Sequence, residues 1–429
     1  VGDVVDVLVV GGAGREHALA WALRRSPSVG RLFAAPGNPG IAAVAELLPF
    51  TATDVDGLTE WAAGNGIGLV VVGPEAPLAA GLADRLTAAG VPVFGPSRAA
   101  AELEWSKVFA KSFMLDHGIE TAAYAAFDQL QPALAHAAAA RYPLVVKADG
   151  LAAGKGVAVC PTLIEAEAAI RAALQHGAFG TAGARVVIED YLGGEELSVI
   201  AVTDGDRIVL LPPARDYKRL LDGDRGPNTG GMGSVAPVPG LDETLLRRVE
   251  AEVLRPAVDG LAAMGRPFVG ALYAGIMVTA DGPKTLEFNC RLGDPETQAI
   301  LPLLEGDLAA LLLDCATGRL DPSAVAARQG AAVSLTLASA GYPERPRTGD
   351  PISGIEAAED AGGLVLHGGT ASRNGRLVTA GGRVLSVVGT GPSIDAAANA
   401  AYAAAGCISF AGMHHRTDVG RSGGDAPAA

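Results

Sequence analysis

Early in the chain, three short and almost wholly apolar runs, Val4 to Val10, Leu69 to Val72 and Val91 to Phe94, each stop at a glycine. They alternate with helically spaced segments such as Ala76 to Ala89. Strands apolar on both faces must be covered on both sides, and strands separated by helices join through crossovers, so the pattern predicts a parallel, doubly wound sheet. Ligands of such sheets gather beyond the carboxyl ends of the strands. Gly11 to Arg15, Pro36 to Gly40 and Gly73 to Leu78 are placed there.

Two later stretches share one chemistry. LVVKADGLAAGKGV (Leu144 to Val157) reads as a strand entering a glycine-rich loop with two lysines. Gly150, Gly154 and Gly156 allow backbone N–H groups to approach phosphate oxygens, and Lys147 and Lys155 add point charges. A P-loop needs four residues before its Gly-Lys pair and a hydroxyl after it. Here Leu151, Ala152 and Ala153 intervene and Gly156 takes the hydroxyl position, so a Walker-type fold is disfavoured. The second stretch, LEFNCRLGDPETQ (Leu286 to Gln298), places Glu287 and Asn289 two apart on a predicted strand, with both side chains on one face. Hard oxygen ligands pointing one way suit Mg²⁺ when phosphates complete its shell. The preceding run Gly270 to Val278 reads as the partner strand of a buried hairpin turning at Asp281-Gly282.

The 429 residues suit about three domains at ~150 residues each. A net charge of -14 argues against a nucleic-acid surface, which needs clustered Lys and Arg. Cys160, Cys290, Cys315 and Cys407 show no paired spacing, so neither a zinc site nor a disulfide scaffold is indicated, and a reducing cytoplasm fits. The first residues read as a strand and helix, not a signal peptide, and no apolar run reaches the ~18 residues of a membrane span. A monomer is the expected state.

From Tyr142 to Leu192 the pattern is strand, glycine loop, strand, helix (Leu163 to His176), strand. The helix Ser106 to His117 precedes it and carries Lys107 and Lys111. Antiparallel strands, an irregular loop from Asp222 to Gly233 and a helix from Asp242 to Met264 lead to the metal-bearing hairpin. Strands at Ala332 to Ala338, Leu364 to His367 and Val384 to Gly389, with a helix at Ser393 to Ala405, form a last region. Residues 421–429 are expected to be a disordered tail.

The motifs GREHAL (Gly14 to Leu19), GPEAPL (Gly73 to Leu78), KADGLAAGKGV (Lys147 to Val157), GPNTGGMG (Gly226 to Gly233), EFNCR (Glu287 to Arg291) and GDPETQ (Gly293 to Gln298) follow one another in an order that resembles the glycinamide ribonucleotide synthetases. That family belongs to the ATP-grasp superfamily and to purine biosynthesis. The resemblance covers essentially the whole chain. It implies an α/β and α+β multidomain fold: a Rossmann-like domain (1–104), a central ATP-grasp domain (105–122 and 193–329), a lid subdomain (123–192) and a small C-terminal α+β domain (330–420).

The resemblance also implies an ATP-dependent ligation of glycine to 5-phosphoribosylamine through glycyl phosphate, with Mg²⁺ or Mn²⁺. Lys107, Lys147 and the loop bearing Gly154, Lys155 and Gly156 match the ATP phosphate site, Glu189 and Leu192 the adenine hinge, and Glu196 the acid on the ribose. Glu287 and Asn289 match the metal ligands. Charge type and closeness in sequence suggest Arg291 for glycine's carboxylate and Asp216 or Asp294 for its ammonium. Gly12, Gly14 and Arg15 are candidates for the phosphate of phosphoribosylamine, and Asn38 and Glu75 for its ribose.

Three departures from the family pattern stand out. Ala13 interrupts a run of glycines, Leu292 replaces a frequent phenylalanine, and ARDYKR (Ala214 to Arg219) carries Arg215 and Tyr217 where the family has Gln and His. Two rival classes are a dehydrogenase, whose third turn glycine would have to be His17, and a non-catalytic nucleotide-binding regulator, against which Glu287 with Asn289 argues. A carboxylase subunit or another amide ligase is the alternative within the ATP-grasp enzymes.

Overall fold

The computed structural model describes residues 4–151, 156–323 and 325–421. The loop residues Gly154 and Lys155, and the tail from residue 422 on, lie outside the described residues. The N-terminal unit runs β1 (Val5–Gly11), α1 (Gly14–Arg24), β2 (Val29–Pro36), β3 (Glu46–Leu47), α2 (Val55–Gly64), β4 (Leu69–Val72), α3 (Glu75–Ala79), α4 (Leu82–Ala88), β5 (Val93–Phe94). Its sheet is parallel, in the order β3-β2-β1-β4-β5. Val7 and Val9 enter one core with Ile200 and Val388, and Leu8 and Val10 enter another with Leu197 and Phe288, which is why these strands carry no polar face. The helix expected from Ala76 to Ala89 is two helices, broken at Gly81. β2 was not visible as a strand because Gly30 and Arg31 interrupt its apolar run.

α5 (Arg98–Trp105) and α6 (Lys107–Asp116) lead into a second sheet of β6 (Tyr124–Phe127), β7 (Leu144–Ala148), β8 (Val157–Cys160) and β9 (Val186–Asp190), ordered β6-β9-β7-β8. Its helices α7 (Leu130–Ala139) and α8 (Leu163–Leu174) pack a small separate core through Ala133, Ala137, Ala166 and Ile170.

β10 (Glu195–Asp204) and β11 (Ile208–Leu210) begin the central part. β12 (Arg215–Asp216), β13 (Arg219–Leu221), β14 (Arg225–Asn228), β15 (Gly233–Ala236), α9 (Glu243–Val249), α10 (Arg255–Ala263), β16 (Val269–Thr279), β17 (Gly282–Asn289) and α11 (Glu296–Ile300) follow. The antiparallel sheet β11-β10-β16-β17 forms its floor. Three details differ from expectation. The turn of the β16–β17 hairpin is Ala280-Asp281, one position early, because Gly282 already pairs with Thr279. The helix expected from Asp242 to Met264 contains a π turn at Glu250–Leu254. Residues 222–233 are not irregular throughout: β14 pairs with β13 in a hairpin.

The chain ends with β18 (Leu304–Gly306), α12 (Leu308–Ala316), β19 (Val325–Ala327), β20 (Ala331–Ala338), α13 (Ile355–Asp360), β21 (Leu364–His367), β22 (Thr370–Arg373), β23 (Arg376–Thr379), β24 (Arg383–Gly391) and α14 (Ile394–Ala405). The sheet here, β12-β15-β20-β24-β21, takes in two strands from well before residue 330. This pairing ties the last region directly to the segment that carries Asp216.

Candidate active site

A cleft of about 680 Å³ opens between the β6-β9-β7-β8 sheet and the β11-β10-β16-β17 sheet. Of the residues singled out from sequence, Lys107, Lys147, Gly156, Glu189, Leu192, Glu196, Asp216, Glu287, Asn289, Arg291, Asp294 and Glu75 line it. Gly12, Gly14, Arg15 and Asn38 do not.

On the lid side, β7 delivers Lys147 and β9 delivers Glu189 across the register pair Val145–Glu189 and Lys147–Val187. Glu189 is buried between two buried ammonium groups, with Lys111 at 3.1 Å and Lys147 at 2.9 Å. Lys147 aligns its hydrogen bond instead with the Leu286 carbonyl, at 3.2 Å, and so bridges lid and floor. Burial pushes the Lys111 ammonium down to about 8, even though Glu189 favours its charge. Lys107 opens α6 beside the glycine loop, its Nζ 3.4 Å from the Gly150 carbonyl. That helix end is docked by Asp149, which accepts from Val108 N at 3.1 Å and from Ser106 Oγ at 3.2 Å.

On the floor, Glu287 and Asn289 face the cleft while Phe288 between them is buried in the core. Among the described residues no cation lies within ion-pairing distance of Glu287. Burial opposes its charge, but the lysines at 218, 147 and 107 hold the carboxyl below its ordinary range. The described residues contain no group of three or more His, Cys, Asp or Glu able to hold a metal alone. Two hard oxygens on one strand face therefore fit a divalent cation whose remaining ligands are phosphate oxygens and water.

Next to this pair, Asp216 is crowded. Burial and the neighbouring Glu296 push its carboxyl well above the ordinary carboxylate range, and Lys218 only partly offsets them. Its Oδ1 is buried without a hydrogen-bond partner. Gly231, at φ +113°, leaves this oxygen open: a Cβ there would stand 2.7 Å from Oδ1. Lys218 pairs with Glu196 at 2.5 Å, and Glu296 accepts from Ser198 Oγ at 3.0 Å. Tyr217, by contrast, turns away from the cleft and packs with the C-terminal core. The tyrosine at this position therefore lies outside the cleft wall. Arg215 does line the cleft and pairs with Glu195.

Arg291 lies between Glu104, 3.3 Å from its Nη2, and Glu75, 3.5 Å from its Nε. Burial raises the Glu104 carboxyl; Glu75 is held below its ordinary range, despite burial, by Arg291 and Arg15. Asp294 is occupied by Arg383 at 3.3 Å and Gln298 Nε2 at 2.7 Å.

The N-terminal glycine turn sits beyond this cluster. Arg15 is buried, pairs with Glu16 at 2.6 Å and donates to the Leu292 carbonyl at 3.1 Å. Gly12 approaches the Gly37 carbonyl so closely that a Cβ would lie 2.4 Å from it. Ala13 tolerates its place because its backbone is extended, at φ -96°, and its N–H is capped by Glu16 at 2.7 Å. Asn38 spends its amide on the loop itself, donating to the Gly12 and His367 carbonyls and accepting from Gly40 N and Ile41 N. His367 N donates to His17 Nδ1 at 2.7 Å, and burial pushes His17 down to about 3 and His367 to about 4.

Sequence reasoning gave no site role to Glu104, Lys111, Lys218 and Glu296, all of which line the cleft. Lys111 was within reach, being one helical turn after Lys107 on the same face. Glu104 was not, since its partners Cys290 N, at 2.7 Å, and Arg291 are brought to it only by the tertiary fold.

Comparison with known proteins agrees with this geometry. Family models described as the N domain, the ATP-grasp (A) domain and the C domain of phosphoribosylglycinamide synthetase match residues 5–104, 105–297 and 332–422. The phosphoribosylamine–glycine ligase of Caulobacter vibrioides is 50% identical over 420 residues, which is 97% of this chain and 98% of the relative. The crystal structure of phosphoribosylamine–glycine ligase from Thermotoga maritima superposes with a TM-score of 0.85 at 34% identity, covering 96% of this chain and 100% of that one. The biotin carboxylase domain of 2-oxoglutarate carboxylase from Hydrogenobacter thermophilus, solved with MgADP, shares the fold at a TM-score of 0.73 and 14% identity, over 96% of this chain and 92% of that one. With the family models succeeding one another along nearly its whole length and the cleft between its two ATP-grasp sheets furnished as described, the chain belongs to the phosphoribosylglycinamide synthetase family.

Proposed function

We propose that this chain is an ATP-dependent carbon–nitrogen ligase that joins glycine to 5-phosphoribosylamine, releasing glycinamide ribonucleotide, ADP and phosphate in purine biosynthesis. The observation that carries the reading is the cleft itself: Lys147 on the lid and Lys107 on α6 line it together with a carboxylate–amide pair on the floor, in a chain of this family. A carboxylate is a poor acyl donor because its leaving group would be oxide. The γ-phosphoryl of ATP is therefore first transferred to glycine's carboxylate, and the amine of phosphoribosylamine then attacks the acyl carbon and expels phosphate. Such chemistry asks the protein for positioning and charge stabilisation, not for a nucleophile.

In this reading ATP lies between the lid (123–192) and the central domain (105–122 and 193–329), with the N-terminal (1–104) and C-terminal (330–420) domains flanking them. Lys107, Lys147 and the loop from Gly150 to Gly156 hold the phosphates, the strand exit at Glu189 and Leu192 meets adenine through its backbone, and Glu196 meets the ribose. Glu287 and Asn289 would hold Mg²⁺ or Mn²⁺, which would supply positive charge to offset that of the phosphates. For glycine's ammonium we favour Asp216 over Asp294, because Asp216 keeps an open oxygen and its crowding with Glu296 is relieved by a bound cation. Arg291, whose polar contacts are all long at 3.2 to 3.5 Å, faces glycine's carboxylate. Gly12, Gly14 and Arg15 supply the cradle for the phosphate of phosphoribosylamine, with Glu75 at its ribose and Asn38 shaping the loop.

The test is product formation by the purified chain with ATP and magnesium. Amide product and ADP should appear together only when glycine and phosphoribosylamine are both present. Turnover with another acid or amine in preference to these would replace the reading.

A further inference from the structure

Among the described residues the largest wholly buried side chain is a cation far along the chain from the motifs of the cleft: Arg416, 1% exposed. Its Nη1 donates to Asp224 Oδ1 at 2.7 Å and to the Arg219 carbonyl at 3.2 Å. Its Nε and Nη2 fork onto Asp418 at 2.7 and 2.6 Å, and its guanidinium lies 4.9 Å above the Tyr217 ring. The neighbours of Arg416 repeat the pattern. Thr417 gives its N–H and hydroxyl to Asp222, at 2.7 and 2.5 Å, Asp418 accepts from Gly223 N at 2.8 Å, and the His414 ring meets the Leu220 carbonyl at 2.9 Å.

Apart from Asp418, all of these partners belong to, or directly precede, the β13–β14 hairpin, and its Arg219, Asp224 and Asn228 line the cleft. Among the described residues β13 and β14 pair only with each other, as an outward continuation of the β12–β15 ladder through the Tyr217–Gly233, Met232–Tyr217 and Thr229–Lys218 backbone hydrogen bonds. Its base is fixed by that ladder, whereas its turn, Asp222 to Asp224, is held by a segment about 190 residues later in the chain. The hairpin also starts at Lys218 and returns at Thr229 to Gly231, where the open oxygen of Asp216 lies.

We propose that His414 to Gly420 is a strap that keeps this hairpin over the reacting end of the cleft, and that Arg416 is the positioning residue through which the strap keeps water from the acyl phosphate. The inference rests on the glycyl phosphate reading given above. When the hairpin loosens, water in place of the amine attacks the acyl carbon: the carbon–oxygen bond to phosphate breaks, glycine is regenerated, and the sum is ATP and water giving ADP and phosphate. Tyr217, the residue that departs from the family pattern, is part of this device as the platform beneath Arg416.

The experiment compares wild type with Arg416→Lys and Asp418→Asn, counting ADP and glycinamide ribonucleotide in the same reaction. Lysine cannot reproduce the fork, and Asp418 lies outside the cleft with its side chain 32% exposed, so the second variant decides the matter should the first fail to fold. Wild type should form one ADP per amide product. Both variants should exceed this by about twofold or more, with glycine-dependent ADP release persisting when phosphoribosylamine is omitted. A ratio of one in folded variants overturns the strap. If wild type itself fails to move oxygen from glycine to phosphate, the fault lies with the acyl phosphate reading and not with the strap alone.

Discussion

Replacing Glu189 by glutamine removes the anion that ion-pairs with two buried lysines, 3.1 Å from Lys111 and 2.9 Å from Lys147. Even with that anion present, burial lowers Lys111 from 10.5 to about 8, which corresponds to roughly 3 kcal/mol against its charged form. Leaving both ammonium groups uncompensated should cost about 3 to 5 kcal/mol, the usual penalty for breaking a buried pair from one side. The double variant Glu189→Gln with Lys111→Met removes charge from both sides and should recover at least about 2 kcal/mol, since neutral packing can replace a buried pair. The pH dependence has a definite sign. The Lys111 pKa is lower in the folded chain, so the unfolded chain holds more protons between pH 8 and 10.5, and stability rises with pH across that window. In Glu189→Gln the lower edge of the window should move below 8. Because a multidomain chain need not unfold in one step, the readout is amide hydrogen exchange in β7 and β9 at neutral and alkaline pH. A loss of less than about 1 kcal/mol, or no recovery on adding Lys111→Met, refutes the argument that Glu189 balances this cluster.

Glu287→Gln should leave the circular dichroism spectrum unchanged and lower kcat by about a thousandfold or more, because charge stabilisation at the transferring phosphoryl group is lost; wild-type turnover at ordinary magnesium would remove the metal assignment. Asp216→Asn should raise the KM for glycine by about tenfold or more while sparing the KM for ATP, and Asp294→Asn should raise it less; the reverse order would move the ammonium site to Asp294. His17 and His367, buried and pushed down to about 3 and about 4, hold fewer protons folded than unfolded, so their stability contribution is complete above 6.5 and is lost as pH falls towards those values. Each should cost roughly 2 kcal/mol at pH 5, and urea midpoints that do not drop between pH 7 and pH 5 would contradict this.

How far the sequence could be read depended on how local the signal was. The Glu287–Asn289 pair was legible because side chains in a strand alternate, so two positions suffice to define one face, and the buried Phe288 between them bears this out. The doubly wound sheet was legible from runs with no polar face. The β13–β14 hairpin was not, since Gly223, Gly226 and Pro227 read as loop, and its turn is held by Arg416, Thr417 and Asp418 far along the chain. Glu104 was hidden for the same reason, because no local pattern reveals that the end of α5 will meet Arg291 and the Cys290 amide. Asn38 shows the opposite limit: its residue type and place suggested a ribose ligand, whereas the fold commits its amide to four backbone groups.

The most direct test of the account follows the oxygen atoms. Glycine labelled with heavy oxygen in its carboxylate, turned over with ATP and phosphoribosylamine, should place one labelled oxygen in each phosphate released, because the acyl phosphate bond breaks on the carbon side. Phosphate free of label, formed together with the amide product, would show that glycine is never phosphorylated and would contradict the central claim.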